Sequence, residues 1–487
     1  MITFSLSLVA LLLGYVLYGR FIENIVAPDN RITPAVAKAD GIDYVVLPNW
    51  KVFMIQFLNI AGTGPIFGAI MGAKFGPAAY LWIVFGCIFA GATHDYLSGM
   101  LSMRNGGVGL PELIGKYLGK ATKNVMLVFT VLLLIMVGTV FVYSPAEILH
   151  GIGGDSMMWV CIIFGYYIIA TMLPIDKIIG KVYPIFAFSL LFMACALMIV
   201  LFIKKPELPE LWTHFYNMGA EAQPEKWTDA FFPALFITIA CGAISGFHAT
   251  QSPLMARCLK SEHMGRPVFY GAMITEGIVA LIWATVASWF FYGSPTPGYE
   301  LIAGADKGFF TSAPAVVNLV CNDWLGVAGA ILAMLGVVAA PITSGDTALR
   351  SARLIVADWL KLDQSPIIKR LYISLPLFLC TILMLIWQIN NPDGFNTIWQ
   401  YFGWLNQALS VFTLWTLTVF LVREKKPFWV TLIPALFMTT VCSTFLFVSK
   451  QAFGLPGTIG YPLGIASLLV ACVWFILWYR KYQQSNN

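Results

Sequence analysis

Residues 242–253 read "GAISGFHATQSP", after the apolar run "FFPALFITIA" (231–240) and before "LMARCLK" (254–260). Two glycines, two serines, a threonine, a glutamine, a histidine and a proline fall where the middle of a hydrophobic span belongs. Glycine and proline disfavour helix interiors. A helix broken at this depth frees backbone N–H and C=O groups that lipid cannot satisfy, so such a break has to face protein or line a cavity.

That reading requires a bilayer, and composition supplies it. The chain has 487 residues, 59% hydrophobic and 11% charged, with a mean hydropathy of +0.78. Soluble domains carry about 25% charged residues. Apolar stretches of about 20 residues, enough to cross a ~30 Å hydrocarbon core as helix, recur along the whole chain. Spans are expected near 2–19, 52–73, 78–103, 124–148, 157–173, 183–203, 230–256, 267–292, 324–349, 371–389, 397–421, 428–448 and 460–479. The alternation of an outer-membrane barrel is absent. The expectation is an all-α polytopic membrane protein of about 13 transmembrane helices. The first span lacks a basic segment before it and a small-residue cleavage site after it, so it is read as a retained helix and not a signal peptide.

Placing the N-terminus outside and alternating puts 23 of the 29 basic residues in inside loops. This agrees with the positive-inside rule, and predicts a C-terminus inside. The net charge of +5 then reflects anchoring at the bilayer and not nucleic-acid binding. The nine cysteines show no C-x-x-C, and the five histidines no metal-ligand spacing. Apolar packing is the role expected of the cysteines.

A second span is interrupted: "FLNIAGTGPIFGAIMG" (57–72) carries Gly62, Thr63, Gly64 and Pro65 near its centre. Five spans run from it to residue 203, and five more from the "GAISG" span to residue 421. An odd number per unit forces the two units into opposite orientations, the inverted-repeat arrangement of secondary transporters, in which interrupted helices mark the site. The organisation expected is an extra helix and loop (1–50), two inverted five-helix units (51–203 and 229–422) and two further helices (428–480). A kink used only for packing explains either break alone, since glycine and proline are ordinary in membrane helices. Two breaks at matching positions favour a site.

Pro65 suits the first turn of one half-helix, and Ser252 followed by Pro253 reads as the start of another. Two helix N-termini facing mid-membrane form an anion site, and a carboxylate is the expected ligand end. Candidate substrate-binding residues are Gly62, Thr63, Gly64 and Pro65, with Gly242, Ser245, Gly246, Phe247, His248, Thr250, Gln251 and Ser252 opposite.

Ionisable residues inside spans are costly and commonly functional. His94 and Asp95 ("GATHDYLSG"), His248 and Glu276 ("MITEGIVAL") lie away from span ends, and Asp346 ("APITSGDTALRSAR") lies nearer one end. Purely structural pairing is the competing role, for instance Asp346 with Arg350 one turn on. His248 is a candidate for substrate contact or proton handling, and Asp95 or Glu276 for a coupling proton. Thr343, Ser344 and Asp346 offer oxygens that sodium also accepts. Proton and sodium both stand as the coupling ion, and no cofactor is expected.

The chain resembles the carbon starvation protein A family. The resemblance is carried by "YGRFIENIVAPDNRITPAVAKADGIDYV" (18–45), "NIAGTGPIFGAIMGAKFG" (59–76), "GCIFAGATHDYLSGMLSMRNGG" (86–107), "ACGAISGFHATQS" (240–252) and the T-x-x-D-x-x-x-R-x-x-R run from Thr343 to Arg353. It implies an inner-membrane importer of pyruvate or short peptides driven by an ion gradient, with a leucine-transporter-like fold. By motif it points to Gly62, Gly64, Pro65, His94, Asp95, Gly246, Phe247, His248 and Asp346. Two departures fall on the broken helices. The family pattern places His-His-Phe where this chain has Ile55, Gln56 and Phe57. Longer members continue past "SGFHA" with a Ser-Gly-Thr-Thr-Pro type segment, where this chain reads "TQSPLMARCLKSE".

The expectation is therefore an ion-coupled importer of pyruvate or a similar small carboxylate. A short-peptide symporter is the alternative within the family, and a nutrient-gated channel or sensor the alternative outside it. A channel calls for repeated polar rings. An enzyme calls for a nucleophile–base motif, a metal cluster or a soluble domain, and the sequence shows none of them.

Overall fold

The computed structural model describes residues 1–486 except 42, 152, 173–174, 228, 303–307, 365 and 392–393. Among the described residues there is no strand, and the only sheet-like contact is an isolated bridge between Glu207 and Ser294. Among the described residues, ten helices are long and apolar enough to cross a membrane, and the bent pair Asn49–Ile60 with Gly64–Ala73 makes an eleventh span. The apolar helix Ser156–Met172 and the pair Phe231–Thr238 with His248–Ala256 stand where the sequence places the two remaining spans.

Burial separates these helices into a centre and a rim. The spans Glu262–Tyr292 and Thr397–Arg423 are 89% buried over their apolar windows, whereas Gly457–Ser485 is 11% buried. That last helix turns Leu469, Val473 and Trp474 outward. Side chains of this kind on a helix flank belong in lipid.

Both breaks sit at the centre. In the first, the chain leaves the helix at Ala61 and resumes at Gly64, turning by 53°. Pro65 lies in the first turn of the resumed helix, where its missing N–H is not needed. In the second, the helix ends at Thr238, Gly242 takes φ +91°, and helix resumes at His248. The sequence reading placed that restart at Ser252–Pro253, and the structure corrects it. His248, Ala249 and Thr250 donate their N–H groups to the carbonyls of Ser245, Gly246 and Phe247, closing the first turn earlier. Pro253 is interior to this helix, and the Ser252 hydroxyl bonds the His248 carbonyl instead of capping.

The two breaks touch each other. A Cβ on Gly64 would lie 2.2 Å from the Cβ of Cys241, and one on Gly242 would lie 2.5 Å from Ala280 and 3.8 Å from Pro65. Glycine at these positions lets one broken backbone approach the other.

Gly246 meets the backbone of the Gly394–Arg423 helix, where an added Cβ would lie 2.4 Å from both the Asn406 carbonyl and the Ser410 nitrogen. Backbone cannot move aside cheaply, and overpacking costs about 1–3 kcal/mol. Gly246→Ala is expected to lower the thermal unfolding midpoint in detergent. Gly165→Ala, with nothing within 4 Å of the added methyl, is expected to leave it unchanged.

Candidate substrate and ion site

The breaks contain backbone groups with no partner in their own helix, and side chains from three other helices supply partners. Asn406 Oδ1 accepts from the Phe247 N–H at 2.7 Å and from the Ser245 hydroxyl at 3.0 Å. The Gly246 N–H donates to the Asn406 carbonyl at 3.2 Å. Trp82 Nε1 donates to the carbonyl of Ile239 at 2.8 Å, and Gln407 Nε2 to that of Phe236 at 2.9 Å. At the first break, the Ser344 hydroxyl reaches the carbonyls of Leu58 and Asn59 at 3.0 and 3.1 Å.

Around this frame lies a group of buried polar side chains without partners. Gln56 and Asn59 occupy the last two turns before the first break, fully buried, and neither amide nitrogen nor amide oxygen has a hydrogen bond. The Thr63 hydroxyl and the Gln251 Oε1 are likewise unpartnered. Leaving such groups dry costs about 1–3 kcal/mol each, so concentrating them at two apposed breaks marks a place for a polar ligand. Gln251 Nε2 is held by the Thr250 hydroxyl at 2.8 Å, which itself bonds the Phe247 carbonyl. Phe247 packs edge-on against Phe141 at 6.5 Å, and Gly62 leaves the room that Phe141 occupies.

The ionisable residues divide into two groups. His94 Nδ1 lies 2.7 Å from Asp95 Oδ1, Asp95 Oδ2 lies 2.8 Å from His248 Nδ1, and His248 Nε2 lies 3.4 Å from Glu276 Oε2. This is one row of four groups, all fully buried, joining the helices Ala92–Arg104, His248–Ala256 and Gly271–Tyr292. Asp346 stands apart from it: its Oδ2 accepts from the Tyr183 hydroxyl at 2.7 Å, and its Oδ1 lies 4.0 Å from Arg350. The Thr343 hydroxyl is engaged with carbonyls of its own helix. Of the oxygen-bearing trio Thr343, Ser344 and Asp346, Ser344 is thus the one bonded to the first break.

Charged contacts lie at the ends of two helices of this region, Gly64–Ala73 and Ala92–Arg104. Near one, the Lys74 ammonium is buried over the rings of Phe291 and Phe309, at 5.0 and 5.4 Å, and that burial pushes it down to about 8, against the pull of Asp229. Near the other, the buried Glu262 carboxylate takes two bonds from Arg104, at 2.9 and 3.0 Å.

Sequence reasoning missed Gln56, Asn59, Cys241 and Asn406 as site residues. The first two carried a readable signal, polar residues three apart in an apolar run. Asn406 is a single amide in a span, and only the fold brings it to the second break.

A family model described as carbon starvation protein CstA matches residues 1–149, 142–296 and 301–445. The chain belongs to this family. It is 43% identical to a membrane protein of Haemophilus influenzae over 60% of this chain and 91% of that one. It is 26% identical to the peptide transporter CstA of Escherichia coli, over 95% of this chain and 82% of the relative. It is 28% identical to the pyruvate/proton symporter BtsT of Escherichia coli, over 57% and 47%. Among solved structures, a manganese transporter of Eremococcus coleocola matches at TM-score 0.57 and 11% identity, covering 91% of this chain and 99% of that one. A sodium-coupled sialic acid symporter matches at TM-score 0.52 and 13% identity, covering 96% of each. These likenesses show the fold, that of multi-pass helical transporters.

Asn406→Leu removes the acceptor of the Phe247 N–H and of Ser245. It is expected to destabilise the protein by about 1–3 kcal/mol, the cost of a buried donor left unpaired. Amide exchange at Phe247, read by mass spectrometry, should accelerate relative to the native chain.

Proposed function

We propose that this protein is an ion-coupled secondary active importer of pyruvate or a similar small carboxylate, working by alternating access around the two breaks. The observation that carries this reading is the set of buried polar atoms without partners at the two apposed breaks: the amides of Gln56 and Asn59 before the first, the Thr63 hydroxyl within it, and Gln251 Oε1 in the helix that follows the second. Amide N–H groups and helix N-termini recognise a carboxylate without a buried cation. The units 51–203 and 229–422, related by inverted topology, would rock about this centre. The membrane is the bacterial inner membrane, with the N-terminus outside and the C-terminus inside.

A short peptide is the second reading, supported by the name of the Escherichia coli relative. A peptide needs an acidic partner for its amino end. Both oxygens of Asp95 are already taken by histidines, which leaves Glu276, whose carboxylate oxygens have no hydrogen bond, as the acid that would meet that amino end. For the coupling ion, the name of the symporter relative supports a proton. The Ser344 hydroxyl with the Leu58 and Asn59 carbonyls supports sodium.

The test is uptake of labelled pyruvate and of a labelled dipeptide into proteoliposomes, under an imposed proton or sodium gradient. Pyruvate accumulation under one gradient is expected, and identifies the ion. Accumulation of the dipeptide alone sinks the small-acid reading. Gln56→Leu with Asn59→Leu is expected to cut uptake about tenfold or more, since a site built to bond a ligand loses that discrimination when its bonding groups are removed.

A further inference from the structure

Cys241, His248 and Glu276 are buried at the second break, and one potential ligand atom from each lies within 4.8 Å of the others. His248 Nε2 and both Glu276 oxygens are buried without a hydrogen-bond partner, although the imidazole and the carboxylate approach to 3.4 Å. Imidazole and carboxylate thus converge beside the thiol and leave their bonding capacity there unused. The other imidazole nitrogen, Nδ1, is held by Asp95 at 2.8 Å, and Asp95 is held by His94 at 2.7 Å. A carboxylate on the far nitrogen of a ligating histidine fixes its tautomer and raises its basicity. The thiol is steadied by Ser245 and Asn406, at 3.6 and 3.7 Å.

We propose that Cys241, His248 and Glu276 bind one zinc-class divalent cation, with Asp95 orienting the histidine. Thiolate, imidazole and carboxylate form a donor set suited to a borderline ion such as zinc, and three protein ligands leave one position open. Zinc bonds of ~2.0–2.3 Å place tetrahedral ligands roughly 3.3–3.8 Å apart. Side-chain movement of about 1 Å brings these three into that range. The ligands join the break to its surroundings: Cys241 lies in its turn, His248 opens the resumed helix and Glu276 stands on the neighbouring helix Gly271–Tyr292. A bound ion ties the break and the resumed helix to that neighbour and holds the break in one conformation. This consequence for transport rests on the reading of the break as the transport site; the binding itself does not.

The test is zinc binding by the purified full chain in detergent, by equilibrium dialysis with elemental mass spectrometry, together with cobalt(II) substitution. One zinc per chain and a cobalt–thiolate charge-transfer band are expected. Cys241→Ser should abolish the band. Asp95→Asn should weaken zinc by about ten- to a hundredfold, as expected for loss of a partner that orients a ligand. Cys442→Ser should leave both readouts unchanged. X-ray absorption on the zinc-loaded native chain, which needs no variant to fold, should show one sulfur among nitrogen and oxygen ligands. Zinc bound no better by the native chain than by Cys241→Ser, or a metal without sulfur in its shell, overturns the proposal. Neither result bears on pyruvate uptake, so this inference and the transport reading fail separately.

Discussion

Everything at the centre of this molecule follows from the cost of unpaired backbone in a water-poor interior. Two helices stop and restart there, and each stop leaves N–H and C=O groups that lipid cannot serve. The helices packed around the breaks are positioned by the partners they supply. Asn406 and Gln407 come from one helix, Trp82 from a second and Ser344 from a third, each meeting a specific group of a broken helix. The glycines complete the arrangement by allowing backbone to lie against backbone at Gly64 and Gly246. The hydrogen bonds of this frame are made in low dielectric, where losing one is expensive.

Within that frame the side chains fall into two chemistries. Gln56, Asn59, Thr63 and Gln251 are uncharged and unpartnered, which suits a ligand that brings its own charge and polar atoms. The row from His94 through Asp95 and His248 to Glu276 is made of ionisable groups, hydrogen-bonded from His94 to His248 and approaching to 3.4 Å at Glu276. His248 belongs to the second break and Glu276 to the helix beside it, so any change in that break moves the row. A charge change in the row is conversely felt by the break.

The ends of the helices Gly64–Ala73 and Ala92–Arg104 differ physically. At the Lys74 end, an ammonium sits among aromatic rings with only a modest electrostatic hold from Asp229. At the Arg104 end, a buried carboxylate is bound by two charge-assisted hydrogen bonds, and removing either partner would strand a buried charge.

The sequence by itself determined the membrane class, the positions of the helices and the location of both breaks. These depend on composition and local pattern: apolar runs of spanning length, and glycine, proline and polar residues clustered inside them. It also marked His94, Asp95, His248 and Glu276 as out of place in lipid, because an ionisable residue in a span is conspicuous in one dimension. Only the tertiary structure decided which of these groups meet. It joined those four in a row, turned Asp346 toward Tyr183, and moved the helix restart from Ser252 to His248. It also brought Cys241 to His248 and Glu276 across a break, a set with no recognisable spacing in the chain. Contacts of that kind depend on how three helices cross, and crossing geometry is set by packing and by the backbone partners each break demands, not by neighbours in sequence.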